Sequence, residues 1–497
     1  MNTFVVRVIS SAFPWPSYAD GTTELRGRYV NARPMIQCII EQTIRDMPRV
    51  LIDPNTGRLY DKERQAEAFK MLPIYSELVS SMTMRLDVTR VRREVETFYR
   101  YVMLSHTWEY DETLFQKVEA TSVYDLQPSP ANYALQNLCA LARSLGFQWA
   151  WSDGCCVDQL SNAVSQESLV ATFTWYRGSS LTVVHLRDVL SKYQAPGCLQ
   201  RSIWTTRAWT YQAYVASETI QFYTEDWKPY LDLTLDNHKE SPTIISEMQQ
   251  ATGHGVQDLT VLRPGLDRVR EKLYMASQRQ AKLVEDTAYS LLGIFNAAIP
   301  IIYGEGDRAV GRLLEYILTG SGDVTILAWT GPTGSYNSCL PVDVTVYSQL
   351  VPPHLPQPIE PAEMDRIVAQ LHLSLPDSSL AVTLYNQLHG LQPPFCAASR
   401  LRFSGIVVRI PEFVPASGSG PVTNFHAYHV TTSVFGDIEV KTRENLSGMK
   451  DLCIVHPWIR PLLDQEFSDG MGLLDETTQA LRFLARLRQP FGALLFE

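Results

Sequence analysis

Residues 101–108 read Tyr-Val-Met-Leu-Ser-His-Thr-Trp, with Asp111 and Glu112 close behind. An apolar run that stops at Ser105-His106 and is followed by Trp108 and paired acids has the form of a strand ending in polar groups. Open α/β sheets present chemistry at such carboxyl ends. A second short apolar run, from Trp149 to Trp151, leads into Ser152-Asp153-Gly154-Cys155-Cys156-Val157-Asp158. Glu167 follows in what reads as the first turn of a helix. Carboxylates placed this way can take up a proton or stabilise developing positive charge, and a first-turn glutamate also complements the helix dipole without any catalytic role. His106 has two readings, a group facing a ligand or a buried imidazole bonded to a carbonyl. Trp108, Trp149, Trp151 and Trp209 suit a core better than a stacking surface, and Cys155 and Cys156 suit small buried hydrophobes.

Other sequences resemble known sites and fail on inspection. Gly304-Glu305-Gly306-Asp307-Arg308-Ala309 satisfies the spacing of a dinucleotide-binding turn. Glu305 and Asp307 would repel a pyrophosphate where a helix terminus should attract it, so the segment reads as a tight turn. Asp286 and Tyr289 read as members of a structural hydrogen-bond network. The eight cysteines include no C-x-x-C pair, which argues for reduced thiols and against a zinc site. No metal site is expected.

The elements that must position these residues follow from periodicity. Strands are expected at 101–105, 149–153 and 181–186. Helices are expected at 133–145, closed by Gly146, and at 165–176, with Leu169, Phe173 and Tyr176 on one stripe. Alternation of this kind predicts a parallel sheet with right-handed crossovers. Upstream, residues 1–60 are rich in turn formers, and 64–99 reads as one or two helices with Ala68, Met71, Leu72, Tyr75, Leu78 and Val79 in register and Pro73 as a start or kink. Residues 265–320 read as helical, broken at Tyr303-Gly304-Glu305-Gly306. Runs at 406–410 and 426–432 suggest a β-rich carboxyl-terminal region. The expected divisions are therefore 1–98, an N-terminal region with helices; 99–230, the sheet domain; 231–330, a helical segment packed on it; and 331–497, a β-rich region.

With 497 residues, 45% hydrophobic and 19% charged, the chain can bury several cores. Forty-three basic against 53 acidic side chains leave a formal charge of −10, which argues against a large nucleic-acid footprint. The most apolar stretch, 291–303, contains Asn296 and Pro300 and falls short of the ~20 residues a membrane span needs. The amino terminus lacks the apolar core of a signal peptide. A cytoplasmic protein without a membrane span is expected.

The motifs at 101–112 and 149–159 resemble the opening and second signatures of the fungal heterokaryon-incompatibility (HET) domain. Glu167, with Phe173-Thr174-Trp175-Tyr176, resembles that family's next helix, and Trp204 to Gln212 its third signature. Residues 285–306 resemble a segment that follows the domain in many fungal members. The chain departs from the pattern at Glu109, Val164 and Ala213, where the family often has glycine, glutamate and glutamate. The resemblance implies a role in non-self recognition and regulated cell death. It also implies an α/β, TIR-like (flavodoxin-like) parallel sheet flanked by helices, because HET domains are held to be similar to Toll/interleukin-receptor (TIR) domains. Some TIR domains hydrolyse NAD with a glutamate on a helix after a central strand. By position that acid would be Glu167, acting on an oxocarbenium-like state. Ser105, His106, Trp108, Glu112, Asp153, Cys156 and Asp158 would contact the substrate, and Ser105, His106, Asp153 and Glu167 are expected to share one crevice. NAD would be a substrate and no cofactor is implied. Protein partners or self-association are expected, and a non-enzymatic interaction module is the alternative.

Overall fold

A computed structural model describes residues 32–80, 88–108, 112–252, 263–348, 360–374, 379–389, 394–397, 400–403, 405–416, 426–432, 436–442, 445–457, 475–487 and 494–496. The chain forms two compact units, Met1–Thr43 with Glu63–Phe98, and Ile44–Lys62 with Tyr99–Glu497.

Where one or two helices were expected over 64–99, three are present, Lys62–Lys70, Pro73–Ser80 and Val88–Phe98, with Pro73 opening the second as suggested. The Phe69 ring lies tilted 5.1 Å from Phe98 and edge-on 6.0 Å from Tyr75. The expected stripe is only partly right, since Leu78 is buried but Met71 is 85% exposed. The first helix stops at Lys70 and the chain restarts at Pro73, so the helical phase is not continuous across the break.

The second unit is built on one six-stranded sheet. Its strands are β1 (Val50–Asp53), β2 (Arg58–Asp61), β3 (Tyr101–Ser105), β4 (Trp149–Trp151), β5 (Leu181–Leu186) and β6 (Ile220–Thr224), in the order β2-β1-β4-β3-β5-β6. β4-β3-β5-β6 are parallel, as expected. β1 and β2 correct that expectation. They pair antiparallel with each other, and β1 pairs antiparallel with β4, so the sheet is mixed. The hairpin comes from residues assigned above to the N-terminal region. Its turn is fixed by Asp53, whose carboxylate accepts from Asn55 N at 2.9 Å and Thr56 Oγ1 at 2.8 Å, and by Gly57 at φ +66°. Pro-Asn-Thr-Gly is a hairpin signal, but four-residue strands carry too little periodicity to announce themselves.

β3 and β5 are buried along their whole length, which is why they read as continuous apolar runs. β4 ends at Trp151, two residues earlier than expected, because Asp153–Cys156 already turns as helix. The crossover helix Pro130–Ser144 starts earlier than predicted, with Pro130 in its first turn and the Ser129 hydroxyl accepting from Asn132 N, and it closes at Gly146 with φ +76°. The helix Asn162–Gly178 is likewise longer than predicted and is capped by Ser161. Among the parallel strands the chain begins at β3, steps to β4 on one side, then crosses to β5 on the other. The connections therefore diverge beside β3, and that is where doubly wound sheets open a crevice.

Residues 285–314 pack on this sheet domain. Leu291, Leu292, Ile294, Phe295 and Ile301 are buried, and a Cβ on Gly293 would lie 2.2 Å from the Phe173 Cβ. Gly304 (φ +94°) and Gly306 (φ +62°) form the expected tight turn, with both amides donating to Glu285. Tyr303 donates to Asp286 at 2.9 Å and Tyr289 to Glu305 at 2.7 Å, a structural network. Beyond 331 the expected β content is half the picture. Two three-stranded sheets are present, with Gly405–Glu412 and His426–Thr432 on the runs singled out above. The helices Pro361–Ser374, Ser379–His389 and Glu476–Leu487 add a core of their own, including Met364, Tyr385 and Leu481. Prolines cluster in the sequence between 352 and 361, mostly outside the described residues. Among the described residues, no helix is long and apolar enough to cross a membrane.

Candidate functional site

The carboxyl ends of β3, β4 and β5 bring four of the expected residues together. Ser105 closes β3, and its Oγ accepts from the Trp204 indole at 3.0 Å. His106 is buried, with its Nε2 3.1 Å from Glu112 Oε2. The other Glu112 oxygen accepts from Arg187 Nη1 at 3.3 Å, and the same nitrogen reaches Thr107 O at 3.5 Å. Past β4, Asp153 accepts from Trp108 Nε1 at 2.7 Å and from Gly154 N at 2.9 Å. The side chains of His106, Glu112 and Arg187 are 3%, 8% and 8% exposed, so their charges interact with little help from water.

The electrostatics follow from this packing. Burial pushes the His106 imidazole down, but the Glu112 hydrogen bond and the Asp153 and Glu112 charges together outweigh burial and the opposing Arg187, so the ring is held above its ordinary range. Burial raises the Asp153 carboxyl, against the lowering effects of His106 and the Trp108 bond. His185, on β5, behaves in the opposite way. Burial pushes it down to about 4, its Nε2 donates to Glu225 O at 3.1 Å, and its ring stacks 4.6 Å from Trp227. One buried imidazole is therefore biased to carry a proton and its neighbour to stay neutral. His106 Nδ1 is buried and meets no hydrogen-bond partner among the described residues. The cluster can hold a proton on His106 or Asp153 at a pH where isolated groups would release it.

Four expected site residues lie elsewhere or play other parts. Glu167 is not part of the cluster. Its side chain is 61% exposed and stands 3.6 Å from Arg49, which immediately precedes β1. Asp158 holds its own loop, accepting from Gln116 Nε2 at 2.7 Å and Leu160 N at 3.1 Å. Cys156 is buried with its sulfur 3.9 Å from that of Cys155. The Cys155 thiol is raised well above its usual range, by that contact first and by burial second, so it is a poor nucleophile. Trp108 corrects the core reading. It is 38% exposed and serves Asp153 as a hydrogen-bond donor. Trp209, also assigned to the core, is half-buried and hydrogen-bonds the Asp286 carboxylate. Trp149 and Trp151 are buried as expected, the latter edge-on to Trp175 and Tyr176. Arg187 was missed, although it is the first residue past the 181–186 run and the strand-end rule that found Ser105 points to it too. Asp111 and Glu109 lie outside the described residues. Among the described residues no group of three or more His, Cys, Asp or Glu side chains could hold a metal ion.

Residues 101–197 match the family model described as Heterokaryon incompatibility protein (HET). This chain carries a HET domain. The matched segment begins at the first residue of β3 and takes in Ser105, His106, Glu112, Asp153, Glu167 and Arg187, so every member of the buried cluster belongs to the HET domain. Outside it lie β1, β2 and β6. The chain is also similar to the vegetative incompatibility protein HET-E-1 of Podospora anserina, 32% identical over 246 residues. That match takes in 47% of this chain and 17% of the relative, so the chain spans only a small part of that protein's length. No solved structure matches.

Proposed function

We propose that this HET-domain protein acts in heterokaryon incompatibility, the fungal non-self response that ends in regulated death of fused cells. The observation that carries the reading is the HET match at 101–197, joined to the similarity with a vegetative incompatibility protein. Within that role the HET domain works best as an interaction module. The acid expected to drive turnover, Glu167, is largely exposed and sits in a surface ion pair with Arg49. Its counterparts at the strand ends are engaged with one another in a buried cluster. Such a cluster fixes the geometry of the surface above it, where protein partners or a second copy would dock.

A second reading, TIR-like hydrolysis of NAD in the cytoplasm, is supported by two features. The order of the four parallel strands has the flavodoxin-type reversal beside β3, and His106 and Asp153 have the proton affinities that acid–base work needs. Expression in fungal cells separates the two. Wild-type protein should arrest growth under both, and Asp153→Asn should blunt the arrest under both. Glu167→Gln should remain toxic if the domain acts by docking, and should become harmless, with loss of nicotinamide release from NAD by the purified protein, if Glu167 is the catalytic carboxylate. Wild-type protein that accumulates without affecting growth would overturn the incompatibility assignment.

A further inference from the structure

Immediately past Arg187 the chain leaves the buried cluster and wraps a separate cavity of about 210 Å³. The cavity is lined by Asp188, Val189, Leu190, Tyr193, Cys198, Arg201 and Ser202. The loop that makes it is built firmly. The Asp188 carboxylate accepts from Ser202 Oγ and from Ile203 N, each at 2.7 Å, and so ties the start of the loop to its end. Beneath it the buried Tyr230 hydroxyl donates to Ala195 O at 3.0 Å and accepts from Leu199 N at 3.1 Å. The buried Glu247 carboxylate receives Gln200 N at 3.2 Å. Asp226 holds Ser191 through both its amide, at 3.2 Å, and its hydroxyl, at 2.6 Å. A surface connection fastened at this many points keeps its cavity open without a ligand, as small-molecule sites generally do.

The chemistry of the wall is asymmetric. Both oxygens of Asp188 are taken up by hydrogen bonds within the loop. Among the described residues the Arg201 guanidinium has a single hydrogen-bond partner, the Cys198 sulfur at 3.8 Å, and no carboxylate. Its planar fork of donors suits a carboxylate or phosphate. Gly197 (φ +94°) leaves the space it occupies, since a Cβ there would come within 3.0 Å of Arg201 Nη1. Val189, Leu190 and Tyr193 supply the apolar and aromatic part of the rim. Tyr193 is 70% exposed, an unusual position for a large ring, and the Lys192 ammonium lies 4.8 Å from its centre, adding a second positive charge. The volume is below the about 300 Å³ at which drug-sized sites begin, which limits the occupant to one ring with one charged group. We infer that this cavity binds a small aromatic anion, its carboxylate or phosphate on Arg201 and its ring against Tyr193 and Leu190.

The test uses the full-length protein and three flat single-ring probes, benzoate, phenyl phosphate and the cation benzamidine, titrated by ligand-observed NMR. Either anion, or both, should saturate one site in the millimolar range expected of a fragment this small, and benzamidine should not. Arg201→Gln should weaken the anion at least tenfold while leaving the melting temperature of the free protein unchanged, because the side chain is exposed. Tyr193→Ala, also at an exposed position, should weaken it severalfold. Failure of both anions to saturate by about 10 mM, equal binding by the Arg201→Gln protein, or benzamidine binding as tightly as benzoate would each overturn the inference.

Discussion

Glu112 is the hinge of the buried cluster because one carboxylate answers two cations, His106 at 3.1 Å and Arg187 at 3.3 Å. Removing its charge takes away the anion shared by His106 and Arg187, and breaking a buried pair from one side costs about 3–5 kcal/mol. Glu112→Gln should therefore lower the unfolding midpoint substantially, and it should also lower the His106 pKa, since burial then outweighs what remains of the attraction. The pH dependence follows from the direction of these shifts. The folded pKa of His106 is above its unfolded value of 6.5, so the native state binds that proton more tightly. Its contribution is complete below 6.5 and is lost as pH rises through the folded pKa. Asp153, raised from 3.8 mainly by burial, has the same sign over a lower window. Chemical denaturation between pH 5 and 9 should show the midpoint falling above pH 6.5 in the wild type, with that fall absent in Glu112→Gln. His185, held down at about 4, makes the midpoint rise as pH climbs towards 6.5, so the comparison is made above that pH: a wild-type midpoint that falls no more than that of Glu112→Gln would contradict the proton assignment. Ser105, His106 and Asp153 were legible in sequence because each ends an apolar run. The surroundings of Glu167 were not, since Arg49 reaches it through a hairpin too short to predict.

At the scale of elements, the helix Asn162–Gly178 and the short helix Leu292–Phe295 approach closely at Gly293. Gly293 presents no side chain there, and an added Cβ would meet the Cβ and Cγ of Phe173 at 2.2 and 2.6 Å. The Phe173 Cβ is fixed by the helix backbone and cannot swing aside. Alanine ordinarily favours helix over glycine by roughly 0.5–1 kcal/mol, but overpacking of this kind costs about 1–3 kcal/mol. Gly293→Ala should therefore destabilise the protein, visible as a lower midpoint at unchanged slope. Gly146→Ala is the contrasting case. Nothing lies within 4 Å of its Cβ position, but φ is +76°, so only the left-handed strain of about 1–2 kcal/mol should be felt. A Gly293→Ala protein as stable as wild type would mean the two helices stand further apart. The same scale shows what sequence could and could not give. β3 and β5 were readable to the residue because strands covered on both faces are apolar throughout. β1 and β2 run for only four residues each and were lost among turn formers, which is why a mixed sheet read as a parallel one.

The HET match ends at residue 197, yet the sheet domain does not close there. Residues 279–280 are bonded into it, with Gln280 N donating to Thr206 O at 2.7 Å, Ala208 N to Gln280 O at 2.9 Å, and Arg279 Nη1 to Thr210 Oγ1 at 3.0 Å. Leu291, Leu292, Ile294 and Phe295 then bury their side chains, each 1% exposed or less. At about 1.5–3 kcal/mol for each fully buried side chain, these four alone rival the 5–15 kcal/mol by which a domain is stable. Their apolar density marked the segment as a support of the sheet in the sequence itself, whereas the bonds from 279–280 link positions that no local pattern connects. Cutting the chain after residue 265 should uncover the apolar face of the helix Asn162–Gly178 and orphan the amides of Ala208 and its neighbours. The 1–265 fragment should be insoluble, or soluble with rapid proteolysis and no cooperative melting transition, while the full chain melts cooperatively under the same conditions. A soluble 1–265 fragment with a sharp transition would show that residues 266–321 are a separate module, and would return the boundary of the HET domain to the limits of the family match.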